Sequence, residues 1–304
     1  VSKYIIGGGI AGLIASFYNQ EYQIISDNIG GQMVMNNAGP RILEANEYSE
    51  AFLKDLGLTK LNIKTAKIGY KVDGRIVDSI TNELRLQYYL KSRCITNASN
   101  VPSSIMSDGK NTIEYFDIDW NEIVSVLVNS IKKEPIIGKI EFIETDNKSL
   151  GINTENGPLL LNYKNIVSTI PAPIFFSIAS TKPKISLKCV PKIFFIVSNS
   201  YIDIGDYDYV YFPEDKYDFH RISNVGNGKV AIEYTTHSKL RNIVNKWTHY
   251  TTQYFSMPIG QIQDGKVQNI DSISFLGRYA SWNHDIKTDD IIKICKEGDI
   301  YGQQ

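Results

Sequence analysis

Three glycines spaced Gly7-x-Gly9-x-x-Gly12 stand between an apolar run, Lys3-Tyr4-Ile5-Ile6, and a stretch of helical spacing from Leu13 to Tyr18. A second apolar run, Tyr22 to Ile25, ends in the polar pair Ser26-Asp27. Strand, glycine hexad, helix, strand and acid form the βαβ pattern in which a glycine-rich turn holds a dinucleotide. In that turn Gly7 lets the chain leave the strand sharply, Gly9 lets backbone approach a pyrophosphate, and Gly12 lets the helix close on the strand. The helix start, with Ile10 and Ala11 in its first turn, presents unpaired N–H groups and partial positive charge to phosphate oxygens. Ser26 or Asp27 stands where a ribose hydroxyl is bound, and the spacing leaves both open. The competing reading is a glycine-rich turn without a ligand.

Other chemistry is thinner. Cys94, Cys189 and Cys295 lie about a hundred residues apart with no C-x-x-C, and the four histidines make no metal-spaced pair. A reduced, cytoplasmic chain without a metal is therefore expected. No G-x-S-x-G elbow supports hydrolysis. No second G-x-G-x-x-G appears, because Gly226-Asn227-Gly228 reads as a hairpin turn. His220 beside Arg221 either reaches a substrate or is structural. With 32 basic and 33 acidic side chains among 304 residues the net charge is −1, which excludes a global field for polyanions. Lys182, Lys184, Lys188 and Lys192 read as a solvated strand edge, with a nucleotide or nucleic-acid contact as the sharper alternative. No apolar run approaches membrane-spanning length, and the strand pattern starting at Tyr4 leaves no room for a leader.

The elements that must position these groups follow from periodicity. Glu47–Leu56 reads as a helix stopped by Gly57. Residues 60–78 read as a hairpin turning at Asp73-Gly74. Asn82–Arg93 is helical, with Leu84, Tyr88 and Leu90 inward, and Asp119 or Asn121 caps a helix over Ile123–Ile131. Lys139–Ile143 and Asn165–Ile170 are strands, the second ended by Pro171 and Pro173. Ile193–Val197 looks like a buried strand. Tyr207, Tyr209 and Tyr211 alternate and share a strand face, with Phe219–Asn224 and Val230–Tyr234 as neighbours. Thr288 or Asp289 caps the last helix.

Asp27-Asn28-Ile29-Gly30-Gly31-Gln32 resembles the glycine-pair element after the second strand in flavoproteins of the amine oxidase, protoporphyrinogen oxidase and UDP-galactopyranose mutase superfamily. The resemblance implies that Gly30, Gly31 and Gln32 continue an FAD pyrophosphate and ribose site. Those families usually end the strand in Glu, with more residues before the glycines. Asn36–Leu43 resembles their loop beside the flavin ring, which places Gly39 at the cofactor. The same loop sets Arg41 near the flavin or an anionic substrate, or leaves it a surface arginine beside Pro40. Mutases of the group carry a histidine there, and this chain has none. Leu56-Gly57-Leu58 and Asn165–Pro173 resemble further elements, the latter their "V-I-x-T-x-P" strand. Phe275–Trp282 with the helix from Thr288 resembles the closing "G-R-x-A-x-[W/Y]" element, implying that Gly277, Arg278 and Asp289 contact FAD.

The fold implied is α/β, a Rossmann-type FAD-binding domain with an inserted α+β substrate domain. Residues 1–57, 119–175 and 270–304 would form the first and residues 58–118 and 176–269 the second. The function implied is an FAD-dependent oxidoreductase of the amine oxidase type. The alternative is a flavin mutase or transferase without net redox, acting on a nucleotide-sugar, a nucleotide or a modified nucleic-acid base. Arg41 and Arg221 would wall one pocket above the flavin with Tyr209, and the partner is a small-molecule or nucleotide-like substrate.

Overall fold

The structure is a computed structural model that describes residues 2–31, 42–94, 111–235, 250–262, 265–298 and 300. β1 (Ser2–Gly8) buries residues 4–8, as a central parallel strand covered on both faces must. α1 (Ile10–Tyr18) follows Gly9, and β2 (Tyr22–Ile29) returns parallel to β1. β3 (Leu43–Glu44) leads into α2 (Glu47–Asp55). Asn46 caps α2, its side-chain oxygen accepting the N–H groups of Tyr48 and Ser49. Gly57, at φ +82°, follows the helix end.

β4 (Ile63–Val72) and β5 (Arg75–Val77) form the expected hairpin, with Asp73 and Gly74 both at positive φ, 48° and 77°. α3 (Asn82–Arg93) has the expected bounds, and Tyr88 faces inward as expected, onto Tyr211 and His220. Its buried residues are Arg85, Tyr89, Ser92 and Arg93, while Leu84, Tyr88 and Leu90 are half-buried. Arg93 packs over the Tyr89 ring at 4.0 Å, Arg85 donates from Nε to the Ile80 carbonyl and Ser92 donates to the Tyr89 carbonyl. β6 (Thr112–Phe116) and α4 (Trp120–Asn129) come next, and Asp119 rather than Asn121 caps α4.

β7 (Ile136–Ile137), β8 (Lys139–Glu144), β9 (Ser149–Thr154) and β10 (Gly157–Ser168) precede α5 (Ala172–Ile178). Pro171 and Pro173, expected only to end a strand, sit in the cap and first turn of α5, where a missing N–H costs nothing. β11 (Cys189–Ser198), β12 (Tyr209–Tyr211), β13 (Arg221–Gly226), β14 (Lys229–Thr235), β15 (Thr251–Ile262), β16 (Ile273–Phe275) and α6 (Thr288–Lys296) complete the order.

Two sheets result. The first runs β7-β2-β1-β10-β9-β8 with β16 on β10; β7, β2, β1, β10 and β16 are parallel, and β8–β9–β10 is an antiparallel meander. Its core lies on both faces. Ile5, Ile24 and Val167 meet Leu13, Phe52, Leu127 and Ile292 on one side, and Ile6, Ile25 and Ile166 meet Phe175 and Trp282 on the other. The second sheet runs β15-β11-β14-β13-β12-β4-β6-β3 with β5 on β4, antiparallel except for β12 beside β4.

Register sorts this second sheet into an apolar and a polar face. Val210, Ile222, Ile232 and Phe195 are successive cross-strand partners in one core row. One residue along, Tyr70, Tyr211, Arg221, Glu233 and Phe194 form the next row, on the opposite face. Tyr209 and Tyr211 share that face as expected, but Tyr207 precedes the strand and packs with the apolar cluster, its hydroxyl donating to Asp78.

Candidate functional site

Each glycine of the hexad has its own geometry. Gly7 has φ +107°, and a Cβ there would lie 2.5 Å from the Thr169 hydroxyl, which donates to the carbonyls of Ile6 and Gly7. At Gly12 a Cβ would lie 2.0 Å from the Gly7 carbonyl oxygen, so only glycine lets α1 close on β1. Gly30 and Gly31 take φ +92° and +53°, and a Cβ on Gly31 would come 3.0 Å from the Gly9 Cα. Gly9 differs. Its φ of −74° and ψ of −178° suit any residue, and no described atom lies within 4 Å of where its Cβ would be. Among the described glycines it alone is required neither by conformation nor by packing.

The open space at Gly9 adjoins the start of α1, where no described side chain caps the first-turn N–H groups. Ser26 and Asp27 part company here. The buried Ser26 hydroxyl accepts the Gly8 N–H at 2.9 Å and donates to the Asn28 carbonyl at 2.6 Å, so its donor is engaged within the protein. Asp27 is exposed and, among the described residues, accepts only from the neighbouring Asn28 amide.

The far end of the chain arrives at the same place. Gly277, at φ +95°, lies so that a Cβ would touch the Ala11 methyl at 3.3 Å. Arg278 donates from Nε to the Ile286 carbonyl at 3.2 Å. α6 begins differently from expectation: Lys287 is the N-cap, its N–H donating to the Asp290 carboxylate. Neither Thr288 nor Asp289 caps, because the Asp289 carboxylate accepts from the Asn46 side-chain amide at 2.8 Å.

On the polar face of the second sheet a single carboxylate gathers three bases. Glu233 Oε1 faces Lys192 Nζ and His220 Nε2, the latter at 2.9 Å, and Oε2 faces Arg221 Nη2. Burial alone would raise the Glu233 pKa, but Arg221 and Lys192 hold it well below the usual carboxylate range. Burial, reinforced by Lys192 and Arg221, lowers His220 to about 4 despite Glu233, so the ring is neutral at pH 7. A carboxylate only accepts, hence Nε2 carries the proton and the buried Nδ1, which has no hydrogen-bond partner among the described residues, presents its lone pair. Burial also lowers Lys192, while Glu233 outweighs burial and raises Arg221.

Aromatic rings enclose this cluster. Tyr211 lies 5.7 Å from Tyr70 and 4.9 Å from Tyr88 of α3, and the Arg221 guanidinium stands 6.0 Å from the Tyr209 ring. Arg278 and Tyr279 lie within electrostatic reach of Lys192 and Glu233, linking the closing segment to this face. His284 is pushed down to about 2 by burial and by Arg93, Arg278 and Lys192 beside it.

Arg221 and Tyr209 thus share a face, but Arg221 is ion-paired rather than a free charge. Lys192 is not an edge lysine: β11 runs between β14 and β15, and the side chain turns inward, whereas Lys182, Lys184 and Lys188 are exposed. Gln32, Gly39 and Arg41 lie outside the described residues. The sequence reading missed the role of Glu233, although the Gly226-Asn227-Gly228 turn alone sets it opposite Arg221 to within one residue. None of the three cysteines is in a disulfide, and among the described residues no His, Cys, Asp or Glu cluster could hold a metal. No described helix is long and apolar enough to cross a membrane.

A parallel sheet opened by a glycine-turn βαβ unit, with a largely antiparallel sheet interleaved in its chain, is a Rossmann-like α/β fold. Reduced UDP-galactopyranose mutase is similar over 97% of this chain and 94% of its own, with a TM-score of 0.65 at 14% identity. An oxidoreductase from Methanosarcina mazei gives 0.67 at 11% identity over 98% and 100%. Putrescine oxidase bound to putrescine gives 0.60 at 9% identity over 99% of both. At these identities the likeness shows the fold. No family model and no curated protein matches the chain.

Proposed function

We propose that the chain is an FAD-dependent oxidoreductase. The observation that carries this reading is Gly9, whose open Cβ space and uncapped helix start fit a pyrophosphate and which no packing among the described residues explains. The likeness in fold to an oxidoreductase and to putrescine oxidase supports it.

In this reading the N–H groups from Gly9 through Gly12, with Ile10 and Ala11 between them, hold the pyrophosphate, and Gly7 shapes the turn. Asp27 rather than Ser26 binds the ribose, since the Ser26 donor already serves Asn28. Gly30 and Gly31 keep backbone close on the other side, with Gln32 and Gly39 continuing the site. Gly277, Arg278 and Asp289 bound it from the chain's far end. The chemistry FAD supplies when bound is hydride acceptance at N5 from a substrate C–N or C–C bond. Arg41, Arg221 and Tyr209 orient the substrate above it.

A second reading is favoured by the shared face of Tyr209, Tyr211 and Arg221. It is a flavin mutase or transferase without net redox, whose nucleotide-linked substrate carries an anionic group. A visible spectrum followed by anaerobic addition of candidate substrates separates the two. Bleaching by an amine supports the oxidase, whereas turnover only after dithionite reduction supports the mutase or transferase. A protein that cannot be loaded with FAD refutes both.

A further inference from the structure

A cavity of about 310 Å³ opens at the turn end of β11, β13 and β14, on the apolar side of the second sheet. Ile204 and Val230, 5% and 1% exposed and part of the core cluster on that side, give it an apolar base. Asn199, Ser200 and Asp203 line it from the segment between β11 and β12, and Asn224 lines it from β13. Asn224 stands two residues beyond Ile222 and so shares the apolar face, whereas Arg221 belongs to the opposite one. The cavity is therefore separate from the face that carries Tyr209, Tyr211 and Glu233.

Side chains of the segment between β11 and β12 hold it in place. Asp206 pairs with Lys67 Nζ at 2.7 Å, Asp208 accepts the Lys67 N–H at 2.8 Å, and the Tyr207 hydroxyl donates to Asp78 at 2.8 Å. The groups on the cavity keep capacity to bond. Asp203 accepts the Gly205 N–H through Oδ1 at 2.7 Å, and its Oδ2 has no partner among the described residues. Asn224 accepts the Gly226 N–H through Oδ1 at 2.9 Å, which leaves its amide N–H groups unengaged there. The Asn199 side chain makes no hydrogen bond among the described residues. Beside them Tyr201 and Tyr250 stay 55% and 45% exposed, their ring centroids 4.7 Å apart. Two rings held together and left in water offer contact area for another apolar surface.

These groups select among ligands. Among the described residues no lysine or arginine lines the cavity, so a phosphoryl or carboxylate group would meet Asp203 without a counter-charge. An ammonium carries no acceptor and would leave the amide N–H groups of Asn199 and Asn224 unanswered. A hydroxyl both donates and accepts, so neighbouring hydroxyls on one ring answer the carboxylate and the carboxamides together. We propose that the cavity binds a neutral saccharide, with Asp203, Asn199 and Asn224 holding ring hydroxyls and Tyr201 covering the ring's C–H face. The volume lies at the lower end of the about 300–1,000 Å³ usual for small-molecule sites, which suits a short saccharide. Nothing in this site depends on a bound flavin.

Saturation-transfer NMR on the full chain tests the site, with the methyl glycosides of glucose, galactose and mannose as probes and a melting curve for each variant. At least one glycoside should bind saturably, with or without FAD loaded. Asp203→Asn keeps an oxygen for the Gly205 N–H but removes the carboxylate, and should weaken that glycoside about tenfold or more. Asn199→Ala removes no described hydrogen bond of the fold and should weaken it about fivefold. Tyr201→Ala should act in the same direction, and Asn153→Ala, at an exposed asparagine of β9, should change nothing. Absence of saturable binding by all three probes overturns the site, as does affinity unaltered in both Asp203→Asn and Asn199→Ala. Unaltered affinity in Tyr201→Ala overturns the role of the ring. Binding that FAD abolishes overturns the site too, because the sugar then occupied the cofactor's place. Glucose 6-phosphate or spermidine binding more tightly than the best glycoside overturns the neutral class.

Discussion

Gly9 and Gly12 stand three residues apart in one turn, and the same substitution should do opposite things to them. Gly9→Val places its branched side chain in open space on a backbone that valine accepts. The cost to the fold is that of a poorer N-cap, about 1 kcal/mol or less, or roughly 2–4 °C in Tm. Gly12→Val drives Cβ to 2.0 Å from the Gly7 carbonyl oxygen, and α1 must leave β1 to relieve it. Overpacking of this kind costs about 1–3 kcal/mol and more where backbone cannot move. Ligand binding should separate in the other sense. If first-turn N–H groups hold the pyrophosphate, Gly9→Val loses two charge-assisted bonds of about 1.5–3 kcal/mol each, at least about a 150-fold loss in FAD affinity. The assay is FAD titration by flavin fluorescence beside a melting curve for each variant. A folded Gly9→Val protein that retains stoichiometric FAD at wild-type affinity would falsify the cofactor assignment. A Gly12→Val protein as stable as Gly9→Val would show that the contact with Gly7 does not govern helix docking.

Gly31→Val and Gly277→Val, at φ +53° and +95°, should each cost about 1–3 kcal/mol in denaturant melts and also weaken FAD. A melt unchanged from wild type would contradict the positive φ. Glu233→Ala leaves Lys192 and Arg221 unpaired and should destabilise by about 3–5 kcal/mol, with Lys192→Met much milder; equal effects would refute the hub role of Glu233. His220 stays neutral in the folded protein down to about pH 4, whereas the unfolded imidazole takes up a proton below about 6.5. Folding stability should therefore fall by about 3 kcal/mol as pH drops from 6.5 to 4, and His220→Gln should flatten that slope in urea melts; a slope unaffected by the substitution would assign it to other groups.

Elements defined by local rules were legible in the sequence. The β1–α1–β2 unit follows from glycines whose demands are met within thirty residues, and α3 and the Asp73-Gly74 hairpin carry their own caps and turn chemistry. What failed was set by distant neighbours. Lys192 looks like its exposed companions Lys184 and Lys188, and only strands on both sides of β11 make it a buried base. Pro171 and Pro173 signal the end of a strand equally with the start of a helix. Glu233 drew no notice because an acid in a strand reads as a solvent-facing residue until its hairpin partner is known to be Arg221. The fold was thus more legible than the site, since the site is made by register between strands far apart in sequence.

Folding explains most of the residues that line the candidate site. Gly7, Gly12, Gly31 and Gly277 are fixed by φ or by contact, Ser26 by its hydrogen bonds to Gly8 and Asn28, and Asp289 by Asn46. Gly9 has no such account among the described residues. A Cβ on Gly277 would come 3.3 Å from the Ala11 methyl in the first turn of α1, and the next residue, Arg278, acts electrostatically on Lys192. In the second proposed reading that arrangement suits a substrate anchored by its charge while its reactive bond lies against the cofactor, so that binding energy from the remote group positions the reacting one.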